Sequence, residues 1–513
     1  MPHRPIPIVS ALSDIYTEDA LLREGVRWNQ LFEQFQNEFS TPVQKVSRAP
    51  GRVNIIGEHI DYCGFSVLPA AVDKDVLIAF STSTPPAASS LPSPSSSDKT
   101  LFILRNVESK YTPTTFEVDL TGDGSDLSIN QEHHWSNYFI AGTKGILSHL
   151  AKNRGKWDTT APERVLVMVH GTVPEGSGLS SSSAMTTASA MAVLDISGRR
   201  EGMDFVCRRD VTNVAIEGER LVGVNSGGMD QSASVFSLSQ HLLHIEFMPQ
   251  LEARAIPLPK TDPGFSFVIA NTLVRSNKKL TAKYQYNLRV VECRLGALLL
   301  AKHLNLPYKV TSRPHELRIF MGLVLQALGG PGMEQGMTWE EVAEKLEVNA
   351  TELQLQVEDR EVEPENGRFK IWTRARHVFS EALRVYEFKK LLEDTAATAS
   401  RIVERMGGLM DESMRSCQLD YECSCEELND ITRLAKKNGA WGSRVTGAGW
   451  GGATVSLVLE PDVPKFLQAL KEQYYKKRFP ELTDKEFEDA CFATKPELGA
   501  CMFEGEIPKE DKK

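Results

Sequence analysis

Cysteine is sparse in this chain, with eight in 513 residues, far below the density of a disulfide scaffold. The closest pair, Cys423 and Cys425, has no histidine nearby. A closed zinc site normally draws on four nitrogen or sulfur ligands, so these two read as ordinary core or surface thiols. No apolar run approaches the ~18 residues that a membrane span needs. Residues 1–10 carry Pro2, Pro5 and Pro7 and lack the apolar centre of a secretion signal. Long Lys/Arg runs are missing too. With 58 basic residues against 68 acidic ones and a formal net charge of −10, nucleic-acid binding is not expected as the main activity. Together these absences predict a cytoplasmic protein that uses neither a membrane nor a nucleic acid as partner.

Hydrophobic residues make up 41% of the chain and charged residues 25%, ordinary values for a folded protein. At roughly 100–200 residues per domain the length allows two to four domains, or two large ones. Leu21, Leu22, Trp28, Leu31, Phe32, Phe35 and Phe39 recur at helical spacing. Val76–Phe80, Leu101–Leu104, Val165–Val169, Phe265–Ala270 and Ala453–Leu459 read as strands. Between the first two lies the insert 84–97, where ten of fourteen residues are Ser or Pro. It cannot bury a core and is expected as a surface loop joining two strands. Ser47–Leu68, dense in Gly, Asn, His and Asp, reads as loop-rich. After Tyr284 come long amphipathic helices, Leu288–His303 and Arg374–Leu392, with helix-start boxes at Thr338…Glu341 and Asn349…Glu352. Strands and helices without a regular βα repeat predict an α+β protein of two lobes. The expected division is 1–260 and 261–513.

Three clusters carry the chemistry. The central one, residues 174–184, runs Pro-Glu-Gly-Ser-Gly-Leu-Ser-Ser-Ser-Ser-Ala between a strand and a small-residue helix from about Ser181 to Leu194. Gly176 and Gly178 let backbone amides approach a ligand, and Ser177, Leu179, Ser180, Ser181, Ser182 and Ser183 lie where a helix start leaves its donors unpaired. That is a phosphate cradle, or else a serine-rich helix cap. The lysine of a P-loop is absent. The C-terminal cluster, 443–452, contains G-x-G-x-x-G but leads into a strand, which is wrong for a dinucleotide fingerprint. It is either a tight turn or a second Gly loop against a bound nucleotide or sugar. The N-terminal cluster, Gly51–Tyr62, crowds Arg52, Glu58, His59 and Asp61 among Val53, Ile55, Ile56 and Ile60. Its carboxylates can accept from vicinal sugar hydroxyls, and Arg52 can meet a phosphate or orient a carboxylate. A metal site there lacks a second histidine.

These clusters, in this order and this far apart, resemble the GHMP small-molecule kinases. GRVNIIGEHIDY looks like the signature of their galactokinase branch, GSGLSSSSA like the family's phosphate loop, and SRVTGAGWGG like its third motif. GGMDQ at 227–231 and YNLRVVECR at 286–294 extend the likeness. It implies a two-lobed GHMP-kinase-like fold with the active site between the lobes, and a monomer that phosphorylates galactose at its anomeric hydroxyl. MgATP would be the co-substrate. By resemblance, Asp230 is the catalytic aspartate and Arg52 stabilises its ionised form and the transferring phosphoryl group. Glu58, His59, Asp61, Gly227, Gly228 and Tyr286 match sugar-contacting residues. Ser182 and Glu219 match the Mg²⁺ ligands, within a serine run that permits a one-residue slip, and Trp135 matches the residue near the adenine. N-acetylgalactosamine kinases are the alternative within the enzymes. They look to have Phe where this chain has Tyr286, although CGFSVLP at 63–69 resembles them. The other alternative is a galactose sensor with a regulatory protein partner. Such sensors have lost residues after the serine run, whereas Ser182-Ser183-Ala184 is uninterrupted here.

Overall fold

The computed structural model describes residues 2–82, 91–130, 132, 134–153, 161–197, 206–223, 227–274, 281–305, 333–357, 361–394 and 398–505. Residues 84–90 of the Ser/Pro insert lie outside these. Its remainder, 91–97, is irregular and mostly exposed. Helix α1 (Glu18–Phe39) buries the stripe Trp28, Leu31, Phe35 and Phe39, spaced three or four apart as a one-faced helix requires. Four further helices matter below: α2 (Ser136–Asn153), α3 (Ser181–Ile196), α4 (Arg208–Val222) and α5 (Met229–Phe236).

Among the described residues the strands are β1 (Ile8–Val9), β2 (Lys45–Ile56), β3 (Leu68–Ser81), β4 (Thr100–Asn106), β5 (Thr114–Val118), β6 (Arg164–Gly171), β7 (His241–Glu246), β8 (Glu252–Pro257), β9 (Phe265–Asn271), β10 (Gly442–Thr446), β11 (Ala453–Leu459), β12 (Cys491–Thr494) and β13 (Cys501–Phe503). Seven pair in the order β1–β13–β2–β3–β6–β4–β5, four in the order β10–β11–β9–β12, and β7 with β8 forms a separate pair. Alternation along the strands sorts the larger sheet into two faces. Leu77, Ala79, Leu101, Ile103, Leu166 and Met168 pack with the α1 stripe. Ile78, Phe80, Phe102, Leu104, Val165 and Val167 join the main core with α2 to α5. At its centre α3 is buried from Ser183 to Leu194. Its Ala, Ser and Thr side chains are small enough for neighbours on every side. No helix among the described residues is long and apolar enough to cross a membrane.

Three sequence expectations change. Ser47–Leu68 is not loop throughout, because residues 45–56 form a strand that is buried almost end to end. Polar residues hid it, and they are held inside through side chain or backbone. Ser47 donates to the Ala188 carbonyl (2.8 Å), Arg48 to Asp75 (2.6 Å), and the Thr446 hydroxyl bonds the Asn54 backbone (3.0 and 3.1 Å). The start of the 442–452 segment is likewise a strand, paired antiparallel with β11. Finally, β13 lies between β1 and β2, so the 261–513 segment ends by returning to the first sheet.

That return is fastened by charge. Asp75, fully buried, accepts from Tyr16 (2.7 Å) and Arg48 (2.6 Å) and pairs with Arg27 (2.7 Å). Arg48 also donates to the carbonyls of Leu498 (2.7 Å) and Gly499 (3.1 Å). Burial alone would raise the Asp75 carboxyl, but the two guanidiniums outweigh it and hold the group below its ordinary range. Asp75→Ala leaves the buried Arg48 guanidinium without its carboxylate and Arg27 with Glu24 alone, and is expected to cost roughly 3–5 kcal/mol, read from the midpoint and slope of urea unfolding.

Candidate active site

The three sequence clusters meet where β2 leaves the larger sheet. Arg52, near the end of β2, sends Nε (2.8 Å) and Nη2 (2.7 Å) to one carboxylate oxygen of Asp230. The Ser180 hydroxyl takes the other oxygen at 2.6 Å. Asp230 sits in the first turn of α5, behind the left-handed Gly228 at φ 105°, and its side chain keeps 22% exposure against 5% for Arg52. Arg52 also holds the phosphate loop directly: its backbone N–H donates to the Leu179 carbonyl (3.1 Å) and Nη1 donates to that of Gly178. Ser180 itself adopts the left-handed region, φ 63°, and caps α3. Ser181, Ser182 and Ser183 then open the helix, whose unpaired amides and dipole favour an anion. Gly176 has open space where a side chain would start, and the buried Ser177 donates to the Pro174 carbonyl (2.7 Å).

The turn after β2 carries Glu58, His59 and Asp61. Glu58 is 2% exposed and accepts from Arg444 (3.2 Å) and from the Gly447 amide (3.1 Å). Burial lifts its carboxyl to about 7, with Arg444 and then Arg52 pulling the other way. His59 Nε2 donates to the Ala448 carbonyl (2.9 Å) and Nδ1 accepts from the Tyr62 hydroxyl (3.0 Å). That tautomer follows from chemistry, since a carbonyl can only accept, and burial keeps the ring neutral with a pKa of about 3. Asp61 is pushed up to about 6 by burial and then by Asp230. Gly227 lies against it: a Cβ there would stand 2.6 Å from the Asp61 carboxyl carbon and 2.7 Å from the Tyr62 nitrogen. Tyr286 opens the helix Tyr286–His303, its ring 5.7 Å from that of His59 and 5.6 Å from that of Tyr62. Burial, then Asp61, Asp230 and Glu58, raise its phenol well above the ordinary value, so it keeps its proton.

Two expected residues sit a little apart. The resemblance put Ser182 beside Glu219, but the structure puts Ser183 there, its hydroxyl donating to Glu219 at 2.7 Å. Gln231 donates to the same oxygen. The cause is the phase of α3: Ser183 faces the buried side while Ser182 is only partly buried. A carboxylate with serine hydroxyls at a helix start is a hard oxygen donor set of the kind Mg²⁺ uses alongside phosphate and water. Trp135 is anchored by Nε1 to the Thr112 carbonyl (2.9 Å) and rests near Tyr111, ring centroids 6.1 Å apart. Tyr111 in turn donates to Glu175 at the mouth of the phosphate loop.

Sequence reasoning missed the residues that join these pieces. Arg444 is fully buried and donates to the Asn54 carbonyl (3.0 Å) and to Ser413 (3.0 Å) as well as to Glu58. Its only signal was its place beside the last Gly motif. Tyr421 meets the Tyr62 hydroxyl and had no signal at all. The last Gly motif packs on protein: a Cβ on Gly178 would lie 2.9 Å from the Thr446 carbonyl, and one on Gly447 2.6 Å from that of Gly178.

The fold and this constellation define a GHMP kinase. Residues 138–237 match the GHMP kinases N terminal domain and 389–476 the GHMP kinases C terminal model, while 33–82 match the galactokinase galactose-binding signature. The galactokinase of Dictyostelium discoideum is 36% identical, over 98% of this chain and 98% of its own length. That of Saccharomyces cerevisiae is also 36% identical, over 92% of this chain and 94% of its own. The structure of Lactococcus lactis galactokinase complexed with galactose shares the fold, with a TM-score of 0.63 at 21% identity, covering 92% of this chain and 99% of that one. The chain belongs to the galactokinase family.

Gly227→Ala is expected to push the Asp61 and Asp230 segments apart and to cut turnover about 100-fold, the scale of an ångström-level misplacement. Coupled ADP-release kinetics, with circular dichroism to show an intact fold, would check this.

Proposed function

We propose that this protein transfers the γ-phosphoryl group of ATP to the anomeric hydroxyl of D-galactose, giving α-D-galactose 1-phosphate. The observation that carries the mechanism is the Asp230 carboxylate, clamped by Arg52 and Ser180 yet open to the cleft beside the start of α3. Phosphoryl transfer leaves little covalent work for the protein, so positioning and charge stabilisation dominate. The amides of 176–183 hold the phosphates. Glu58, His59, Asp61, the Gly227–Gly228 backbone and Tyr286 orient the sugar. Asp230 accepts the hydrogen of O1 and takes its proton as the oxygen attacks. Arg52 clamps that carboxylate in place and offsets the charge that gathers on the transferring group. Glu219, with Ser183 or Ser182, would hold Mg²⁺, whose chemistry when bound is to neutralise the β- and γ-phosphate oxygens. Trp135 flanks the adenine. A phenol that bonds the C2 hydroxyl would be left unpaired by an acetamide, which favours galactose over N-acetylgalactosamine.

Asp230→Ala is expected to lower kcat by at least ~100-fold in a variant that still binds ATP. Near-native turnover would sink the assignment. A pH effect follows from Glu58. With its pKa at about 7, the carboxyl takes up a proton as pH falls through that value and weakens its pairing with Arg444. The galactose KM is therefore expected to rise below pH 7, and Glu58→Gln should flatten the profile measured from about pH 5.5 to 8.5.

A further inference from the structure

The helix Ile371–Glu393 belongs to none of the three motifs, yet it reaches the turn that follows β2. Glu381 is fully buried. Its Oε1 accepts from the backbone amides of Gly57 (2.9 Å) and Glu58 (3.2 Å) and from the Ser413 hydroxyl (2.8 Å). Its Oε2 accepts from Arg384 Nε (2.7 Å). One helical turn earlier, His377 Nε2 donates to the Glu58 carbonyl at 3.0 Å. Arg444 stands 3.9 Å from Glu381 while it pairs with Glu58. The turn itself needs outside support, because Gly57 (φ 106°) and His59 (φ 59°) both sit in the left-handed region, which costs free energy at a non-glycine residue. An ionised acceptor on two successive amides is among the stronger hydrogen-bond arrangements.

We infer that Glu381 is a positioning residue for the sugar turn: its carboxylate fixes the Gly57 and Glu58 amides and so sets where Glu58, His59 and Asp61 stand against the acceptor sugar. The inference rests on the proposed reading of that turn as the galactose site. Burial opposes the charge on Glu381, and Arg384, Arg444 and His377 overcome it, leaving the carboxyl well below its ordinary range. The group therefore stays an acceptor across the working pH range. Glu381 is fully buried, so any effect on the sugar passes through the turn and through the Arg444 that pairs with it.

Steady-state kinetics with each substrate varied in turn separates the two ideas. If the wild-type chain fails to phosphorylate galactose, the site reading falls and this inference with it. If it turns over galactose, Glu381→Gln is expected to raise the galactose KM at least about 10-fold while the ATP KM stays within about 2-fold. Arg384→Gln, which removes the cation from Glu381 Oε2 and touches neither Glu58 nor Arg444, is expected to raise the galactose KM about 3-fold while circular dichroism shows the fold kept, and it decides the matter should Glu381→Gln not fold. An unchanged galactose KM, or equal rises in both KM values, would overturn the inference and leave the galactokinase reading intact.

Discussion

Backbone lies against backbone where the two sheets meet, and the site depends on that closeness. A Cβ on Gly51 would stand 2.7 Å from the Leu179 carbonyl, and one on Gly447 2.6 Å from that of Gly178. With no side chain between them, β2, the phosphate loop and the β10–β11 turn are stacked at van der Waals distance. Only then does Arg52 span from the loop carbonyl to Asp230, and only then does Thr446 reach the Asn54 backbone. Packed protein interiors transmit displacements instead of absorbing them. A shift of one loop is thus a shift of all three, and the Asp230 carboxylate moves with the loop 176–183.

Charge is the second constraint. Glu58, Asp61 and Asp230 gather round one small volume, next to which, on the proposed reading, a polyanionic co-substrate comes. Three full negative charges there would repel the phosphates. Burial answers part of this by lifting Asp61 to about 6 and Glu58 to about 7, so that each ionises less readily. The opposing charge is placed unevenly: Arg444 sits deep on Glu58, while Arg52 faces Asp230 and the phosphate loop together. The helix start at Ser181 adds positive potential without a mobile side chain. On the proposed reading, one arginine serves the base and the transferring group while the other holds the sugar turn.

Much of this was legible in the sequence, for reasons that differ between elements. Helices such as Glu18–Phe39 and Ile371–Glu393 announce themselves because one stripe must be apolar. The strands 164–171 and 265–271 do so as short apolar runs. β2 did not, because a strand buried on both faces can carry Ser and Arg where their side chains find internal partners, and Asn54 where its backbone is held. β10, five residues with one strongly apolar side chain, sat below any periodic signal. Within the site, residues carried by a local motif were found, including Asp230, Arg52 and Asp61. The joints were not. Glu381 reaches a turn more than 300 residues away, and helical periodicity marks such a residue only as facing inward. The serine run shows the remaining limit: four identical letters leave the phase of α3 open, and the phase decides that Ser183 meets Glu219.

The aromatic corner of the site has a direction. Ala448 can only accept, so His59 gives its Nε2 hydrogen there and must accept at Nδ1 from Tyr62. Tyr62 has then spent its single hydrogen, so the contact with Tyr421 requires Tyr421 to donate. Cys293, 3.3 Å from the Tyr421 hydroxyl, is left to donate in turn. The chain Cys293–Tyr421–Tyr62–His59–Ala448 thus runs one way, with every hydrogen committed toward the last Gly motif. Reversing the whole chain would set two acceptors, His59 Nε2 and the Ala448 carbonyl, face to face. None of these groups has a hydrogen to offer a sugar. Tyr286, packed at an angle against the same cluster and raised by burial and then by three carboxyls, keeps its phenolic proton and is the donor that this corner can turn toward a hydroxyl. On the proposed reading, recognition then falls to acceptors on the Asp61–Asp230 side and a donor on the Tyr286 side, a polarity set by the Ala448 carbonyl.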